Sequence, residues 1–279
     1  MKTMKRILAM LLSAAIIIAV YGPVSRTAAA DGIEDKKNGT VEITFNNTEG
    51  TTVLILAENT TTGTNTQRYY YKLESGKNVV SVPLTEGAGK YKIRICKVRS
   101  DGKAVVLQTK DIELTEEGFG TVFEIASMVI NYKVKDSFIN KAASLTKGAK
   151  DDNAKIKKIY NYIITNFAYD YELLSTKAAT NYYLPNNLST YDRKLGICYD
   201  ISCLMAAMLR SVGVEAKVVT GHTPNVKEYH AWNQVYDSDK KKWYTIDATY
   251  DMCLYNAKSS KKYTMIKSDA DYSDIVYTY

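Results

Sequence analysis

Apolar and polar residues alternate along the first half of this chain, whereas along the second half apolar residues recur every three to four positions; the period changes near residue 130. In the first half, β-branched and aromatic runs occupy Val41 to Phe45, Thr52 to Ala57, Arg68 to Leu73, Val79 to Leu84, Lys90 to Val98 and Ala104 to Leu114. Turn formers separate them at Glu49-Gly50, Thr62-Gly63, Ser75-Gly76, Gly87 to Gly89 and Asp101-Gly102. Short strands at this regular spacing predict an antiparallel β-sandwich of the immunoglobulin-like kind over residues 38–128. Within it Cys96 shares the strand face of Lys92 and Arg94, which predicts a half-exposed thiol without a reactive role.

The second half, residues 131–279, begins as helix. Ile156, Ile159, Tyr160, Ile163, Ile164 and Phe167 fall on one face, with Asp151 or Asp152 placed to cap it. Periodicity then lapses from Tyr169 to Asp192, a stretch expected to be a long surface loop. A second apolar stripe runs through Ile201, Leu204, Met205, Met208, Leu209 and Val212 and stops at Gly213, predicting a buried helix. Three strands follow, Glu215 to Thr220, His230 to Tyr236 and Trp243 to Thr249. The polar cluster Asp237 to Lys241 should turn the last two into a hairpin. The fold class is therefore α+β: a sandwich followed by helices packed on an antiparallel sheet.

Residues 1–30 change the picture of where the protein acts. Lys2, Lys5 and Arg6 precede an apolar run from Ile7 to Val20, and Ala28-Ala29-Ala30 offers a small-residue cleavage site. This is the pattern of a secretory signal peptide, with an apolar run too short to span a bilayer comfortably. The expected product is secreted or extracellular, cell-surface association included, with no stable membrane insertion after cleavage. Four positive charges and no acid lie in the leader, so the net charge of +7 falls to +3. A mild excess without a basic block gives no reason to expect nucleic acid as a partner. Four cysteines in a chain of this length are too few for a disulfide scaffold, although Cys203 and Cys253 could pair in an oxidising exterior.

Candidate chemistry gathers in the second half. Cys198 lies at the start of the helix whose stripe begins at Ile201, where the helix dipole favours a thiolate and main-chain N–H groups can stabilise an oxyanion. Positions 230 and 247 have their midpoint at 238.5, inside the polar turn, so His230 and Asp247 are expected as cross-strand neighbours. The carboxylate would then fix the histidine tautomer, leaving the other ring nitrogen to the thiol. His222 has its midpoint with Asp247 at 234.5, in the middle of a strand, and does not fit. Cys198, Cys203, His222, His230 and Cys253 match no common zinc-ligand spacing, and no metal or cofactor is expected. There is no G-x-S-x-G elbow for serine catalysis.

These residues stand in motifs that resemble the transglutaminase-like domains of the papain-related superfamily. The resemblance is carried by Lys194-Leu195-Gly196-Ile197-Cys198-Tyr199-Asp200, by Leu204 to Val214, by His230-Ala231-Trp232 and by Trp243 to Thr249, in the order Cys, His, Asp. Tyr183-Leu184-Pro185-Asn186 is similar to a segment preceding the catalytic glycine in some bacterial members; Ala248 departs from the family, in which proline commonly follows the aspartate. The resemblance covers about residues 135 to 255. It implies a helix-plus-sheet core, a thioester acyl-enzyme, and transfer of the acyl group to water or an amine.

Cys198, His230 and Asp247 are thus the expected triad, and Tyr199, Trp232 and Tyr183 the expected substrate-binding residues, although Trp232 and Trp243 also suit core positions. The expected substrate is a protein or peptide, cell-wall peptides included, with hydrolysis favoured over cross-linking. The competing expectation is a surface-binding protein whose papain-like half is a non-catalytic remnant.

Overall fold

A computed structural model describes residues 30–47, 52–63, 66–99, 103–176 and 183–279. The leader lies outside this set, apart from Ala30. The described residues form two compact units, those from 30 to 122 with 183–184, and residues 123–176 with 185–279.

Among the described residues, the first unit holds seven strands in two antiparallel sheets. Strands β1 (Ala30–Asp35), β2 (Thr40–Asn47) and β5 (Gly76–Pro83) form one, in the order β1-β2-β5. The other is ordered β4-β3-β6-β7, from β3 (Thr52–Asn59), β4 (Gln67–Lys72), β6 (Gly89–Val98) and β7 (Ala104–Leu114). Six of these are the strands read from alternation. A short helix, α1 (Glu116–Thr121), follows β7, its start capped by the Thr115 hydroxyl accepting from Gly118 N–H.

Val41, Ile43 and Phe45 of β2 and Ile93 and Ile95 of β6 are wholly buried, each contributing about 1.5–3 kcal/mol on leaving water. Tyr69 donates its buried hydroxyl to Pro83 O at 2.9 Å, from a strand of one sheet to a strand of the other. Cys96 departs from expectation. It does share the face of Arg94, but that face carries an apolar cluster of Leu54, Leu56 and Ala104 with Tyr70, Val98 and Val106 against it, so the thiol is fully buried. Burial pushes its pKa up to about 11, against a smaller downward pull from Arg94.

The second unit places helices α2 (Ser137–Thr146), α3 (Asp152–Asn166) and α6 (Cys198–Arg210) with a four-stranded antiparallel sheet. The sheet order is β12-β11-β10-β13, from β10 (Ala216–Thr223), β11 (Val226–Asp237), β12 (Lys242–Ile246) and β13 (Asp274–Thr278). Asp151 caps α3 by accepting from Ala154 N–H at 2.7 Å, and the whole apolar stripe from Ile156 to Phe167 is buried. Helix α6 is buried on every side from Asp200 to Arg210, as befits a helix at the centre of a core.

The stretch expected to be a surface loop is partly helical. It contains α4 (Tyr171–Thr176) and α5 (Asn187–Arg193), started by caps that periodicity does not reveal: Asp170 Oδ1 accepts from Leu173 N–H and Asn186 Oδ1 from Ser189 N–H. Two short parallel strands, β8 (Ala168–Tyr169) and β9 (Leu195–Gly196), pair Tyr169 with Gly196. After β12 comes α7 (Ala248–Asn256); a 3₁₀ turn at Asp269–Tyr272 then leads into β13.

Candidate active site

Three elements converge. Cys198 occupies the first position of α6, half-buried, and the chain reaches it through Gly196. Glycine is needed there because a Cβ at 196 would stand 2.7 Å from Asp200 Cβ and 3.0 Å from Thr190 Cγ2. Asp200, fully buried in the first helical turn, accepts from Ile197 N–H at 3.0 Å and fixes the backbone on which the cysteine sits.

His230 is 4 % exposed on β11, and its Nε2–H donates to Asp247 Oδ2 at 2.8 Å. The Cys198 side chain stands close enough to the same imidazole to act on its charge, so the three side chains gather at one place. Burial alone would lower the histidine's pKa. The Asp247 charge and hydrogen bond, with Cys198 alongside, overcome that and lift it to about 10. Asp247 is wholly buried, yet its carboxyl is held below the usual range: burial would raise it, but His230 and donors from Tyr250 N and Tyr272 Oη prevail. The favoured charge state is therefore imidazolium next to carboxylate.

The histidine and aspartate meet by a route other than the expected one. The β11–β12 register pairs Asn233 with Ile246 and Asp237 with Lys242, a midpoint of 239.5, and the ladder ends at Ile246. Asp247 is instead the N-cap of α7, accepting from Tyr250 N–H through Oδ1 at 2.9 Å, and reaches His230 diagonally through Oδ2. His222 stays apart: exposed on β10 opposite Asp274, its ring meets Tyr229 at 5.3 Å.

The expected substrate contacts fare differently. Trp232 requires correction: it is wholly buried, stacked near His230 at 6.3 Å and edge-on to Tyr272 at 5.2 Å, so it packs behind the triad and presents no surface to a substrate. Tyr199 is half-buried, next in the chain to Cys198, with its ring 5.9 Å from that of Tyr279. Tyr183 is half-buried and clusters with the first unit.

Two residues escaped the sequence reading. The Tyr169 hydroxyl lies against Cys198; burial first, and then the cysteine's charge, pushes its pKa up. Tyr272 donates to Asp247 Oδ2 at 2.9 Å. The β8–β9 pairing of Tyr169 with Gly196, positions 27 apart, delivers Tyr169, and no local pattern announces it. All four cysteines are free, and among the described residues no cluster of metal-binding side chains forms. No helix among those residues is long and apolar enough to cross a membrane.

Residues 139–248 match the model of the Transglutaminase-like superfamily, and residues 32–130 match a family of unknown function, DUF8063. Comparison with curated protein sequences finds no match. Among solved structures, a candidate cysteine protease from Cytophaga hutchinsonii is similar with 15 % identity and a TM-score of 0.42, over 86 % of this chain and 84 % of that one. LapG of Legionella pneumophila is similar with 14 % identity and a TM-score of 0.37, over 51 % of this chain and 70 % of its own. Red sea bream transglutaminase is similar with 9 % identity and a TM-score of 0.29, over 76 % of this chain and 48 % of its own.

Proposed function

Since the second unit carries a transglutaminase-like domain, we propose that this chain is a cysteine-dependent acyl-transfer enzyme acting on amide bonds, with water as the favoured acceptor. The observation that carries this reading is the His230 ring, bonded to Asp247 Oδ2 at 2.8 Å, with the Cys198 side chain beside it at the start of α6.

His230 holds the proton as an imidazolium, and the Cys198 thiolate beside it attacks the amide carbonyl carbon. The carbonyl π pair moves to oxygen, where the Tyr169 hydroxyl adds a donor to those of the α6 start. Collapse of this intermediate expels the amine, which leaves with the proton from the imidazolium, and a thioester remains on Cys198. Water then attacks the thioester with His230 as base; the carboxylic acid departs and the thiol is restored. Asp247 stays ionised throughout and holds the ring with Nε2 protonated.

The leader-like residues 1–30 put this chemistry outside the cytoplasm in the same reading, with protein or cell-wall peptide as substrate. The test incubates the protein with mixed protein and peptidoglycan-peptide substrates and a labelled primary amine, beside Cys198→Ala. Cleavage without label supports hydrolysis and label incorporation supports cross-linking. Neither, with the Cys198→Ala variant indistinguishable, sinks the enzyme reading.

A further inference from the structure

The stretch after α7, residues 257–279, lies beyond the family match at 139–248 and beyond every motif that names the triad. It is nonetheless among the more firmly tied parts of the second unit. Lys267 Nζ donates to both oxygens of the buried Asp251 carboxylate, at 2.6 and 2.7 Å, and Lys267 N–H to Thr245 O at 2.9 Å. Thr245 Oγ1 donates to Asp269 Oδ1 at 2.9 Å. Tyr279 and Val218 exchange main-chain hydrogen bonds of 2.7 and 2.9 Å. Strand β13 comes so close to β10 at Gly221 that any Cβ there would run into the Asp274 carbonyl.

Between these ties sits Tyr272, 2 % exposed, its ring packed with Val219 and Trp232. Its hydroxyl donates to Asp247 Oδ2, the very oxygen that accepts from His230 Nε2, while Oδ1 is taken by Tyr250 N–H. The polar side chains of Thr223 and Asn225 stand near the phenol oxygen, and its proton goes to the carboxylate at 2.9 Å. A phenylalanine would fill the same apolar space. The hydroxyl is thus beyond what packing needs, and burying it pays only through the hydrogen bond it makes to a charged oxygen.

We propose that Tyr272 is a positioning residue of the site: it holds the Asp247 carboxylate in the plane and charge state that keep the Cys198–His230 pair armed, so that the segment 257–279 is a working part of the catalytic unit. This rests on the acyl-transfer reading above. Removing the donor leaves an anion in a buried site with one fewer hydrogen bond, so Asp247 protonates at higher pH and the imidazolium loses its counter-charge sooner as pH falls. The charged and titratable groups facing Asp247 are His230 from β11, Asp251 and Cys253 from α7, Tyr160 from α3 and Tyr272 itself. None but Tyr272 is altered by the test.

The experiment follows the rate of iodoacetamide alkylation against pH in the full chain, with the modified cysteine mapped by mass spectrometry and the thermal midpoint recorded. Three proteins are compared: wild type, Tyr272→Phe, and a chain with 3-fluorotyrosine placed at Tyr272, which has nearly the same shape and is a stronger donor. The expected result is an acid limb for Cys198 moved up by roughly one pH unit in Tyr272→Phe, the size of one hydrogen bond to a charged group. The fluorinated chain should move the limb the other way. Limbs that coincide in all three proteins, whatever the thermal midpoints do, overturn the inference and leave the triad standing. If wild-type Cys198 is alkylated no faster than Cys253, the acyl-transfer reading itself fails, a different outcome from coincident limbs. If Tyr272→Phe does not fold, the fluorinated chain alone decides, since a purely packing role predicts no shift.

Discussion

The two units bury polar side chains in different ways. In the sandwich they end mostly on the main chain. Asn59, wholly buried, donates through Nδ2 to Glu86 O, Gly87 O and Ala88 O, while its Oδ1 accepts from Thr61 N–H and Thr62 N–H. Asn47 and Asn78 bind backbone around Glu74, and Tyr91 Oη donates to Gly87 O. Such bonds fix the path of loops and involve no carboxylate, imidazole or amine. In the second unit some, such as Asn233 and Arg210, also end on the main chain, but three buried carboxylates meet other side chains: Asp247 with His230 and Tyr272, Asp251 with Lys267 and Tyr160, Asp152 with Lys155 and Ser238. Ionisable groups facing ionisable groups store charge that can be moved, and that is the raw material of proton transfer.

The widest gap between the units should appear at the nucleophile. Cys198→Ala is expected to abolish acyl transfer and all alkylation below neutral pH, and Asp247→Asn to lower turnover by about 10³–10⁴-fold through loss of the histidine tautomer. Kinetics on any substrate found for the wild type check both. Next in size, Lys267→Met leaves the Asp251 carboxylate buried without its cation and should cost about 3–5 kcal/mol in urea unfolding. Burial already pushes the Asp251 carboxyl up even with Lys267 present. The double variant Lys267→Met, Asp251→Leu should recover much of the loss; no recovery would blur the distinction drawn between the units.

A pH series sharpens it further. The His230 pKa is raised from 6.5 to about 10, so its stabilising contribution is complete below 6.5 and lost as pH climbs through 10. That of Asp247, lowered from 3.8, is complete above 3.8 and lost as pH falls below it. Wild type should therefore exceed His230→Gln in stability most between pH 3.8 and 6.5, and the gap should narrow toward pH 10 in denaturant titrations; a constant gap would contradict the imidazolium assignment.

In the sandwich, Asn59→Ala should cost about 1–3 kcal/mol by orphaning carbonyl and N–H groups. It should leave the Cys198 alkylation profile where it was, and a displaced profile would break the comparison outright. The smallest effect is expected for Cys96→Ala, about 1 kcal/mol for the lost sulfur in a packed cluster, with no change in labelling at neutral pH.

The sequence showed what repeats locally. Alternation marked six of the sandwich strands, and the stripes of α3 and α6 located the helices, because burial on one face imposes a period on the residues themselves. Cys198 was found from its place at a helix start. His230 and Asp247 were found as partners although the hairpin register lies one residue off the expected midpoint: a cap position next to the strand end still brought the carboxylate within 2.8 Å. Other features are illegible for physical reasons. Alternation predicts a half-exposed Cys96 because it cannot show that the neighbouring strands contribute their own apolar residues there. Helices α4 and α5 are too short for a period and depend on single cap residues, Asp170 and Asn186. Tyr169 and Tyr272 join the site through partners 27 and 25 positions away, and in a chain with 23 tyrosines neither stands out.

Asp247 serves two masters at once, closing the first turn of α7 with one oxygen and steadying the imidazole with the other. Under the proposed acyl-transfer function, a copy in which that turn has not closed would lack a fixed anion behind its histidine, and completion of the architecture and readiness for chemistry would be a single event.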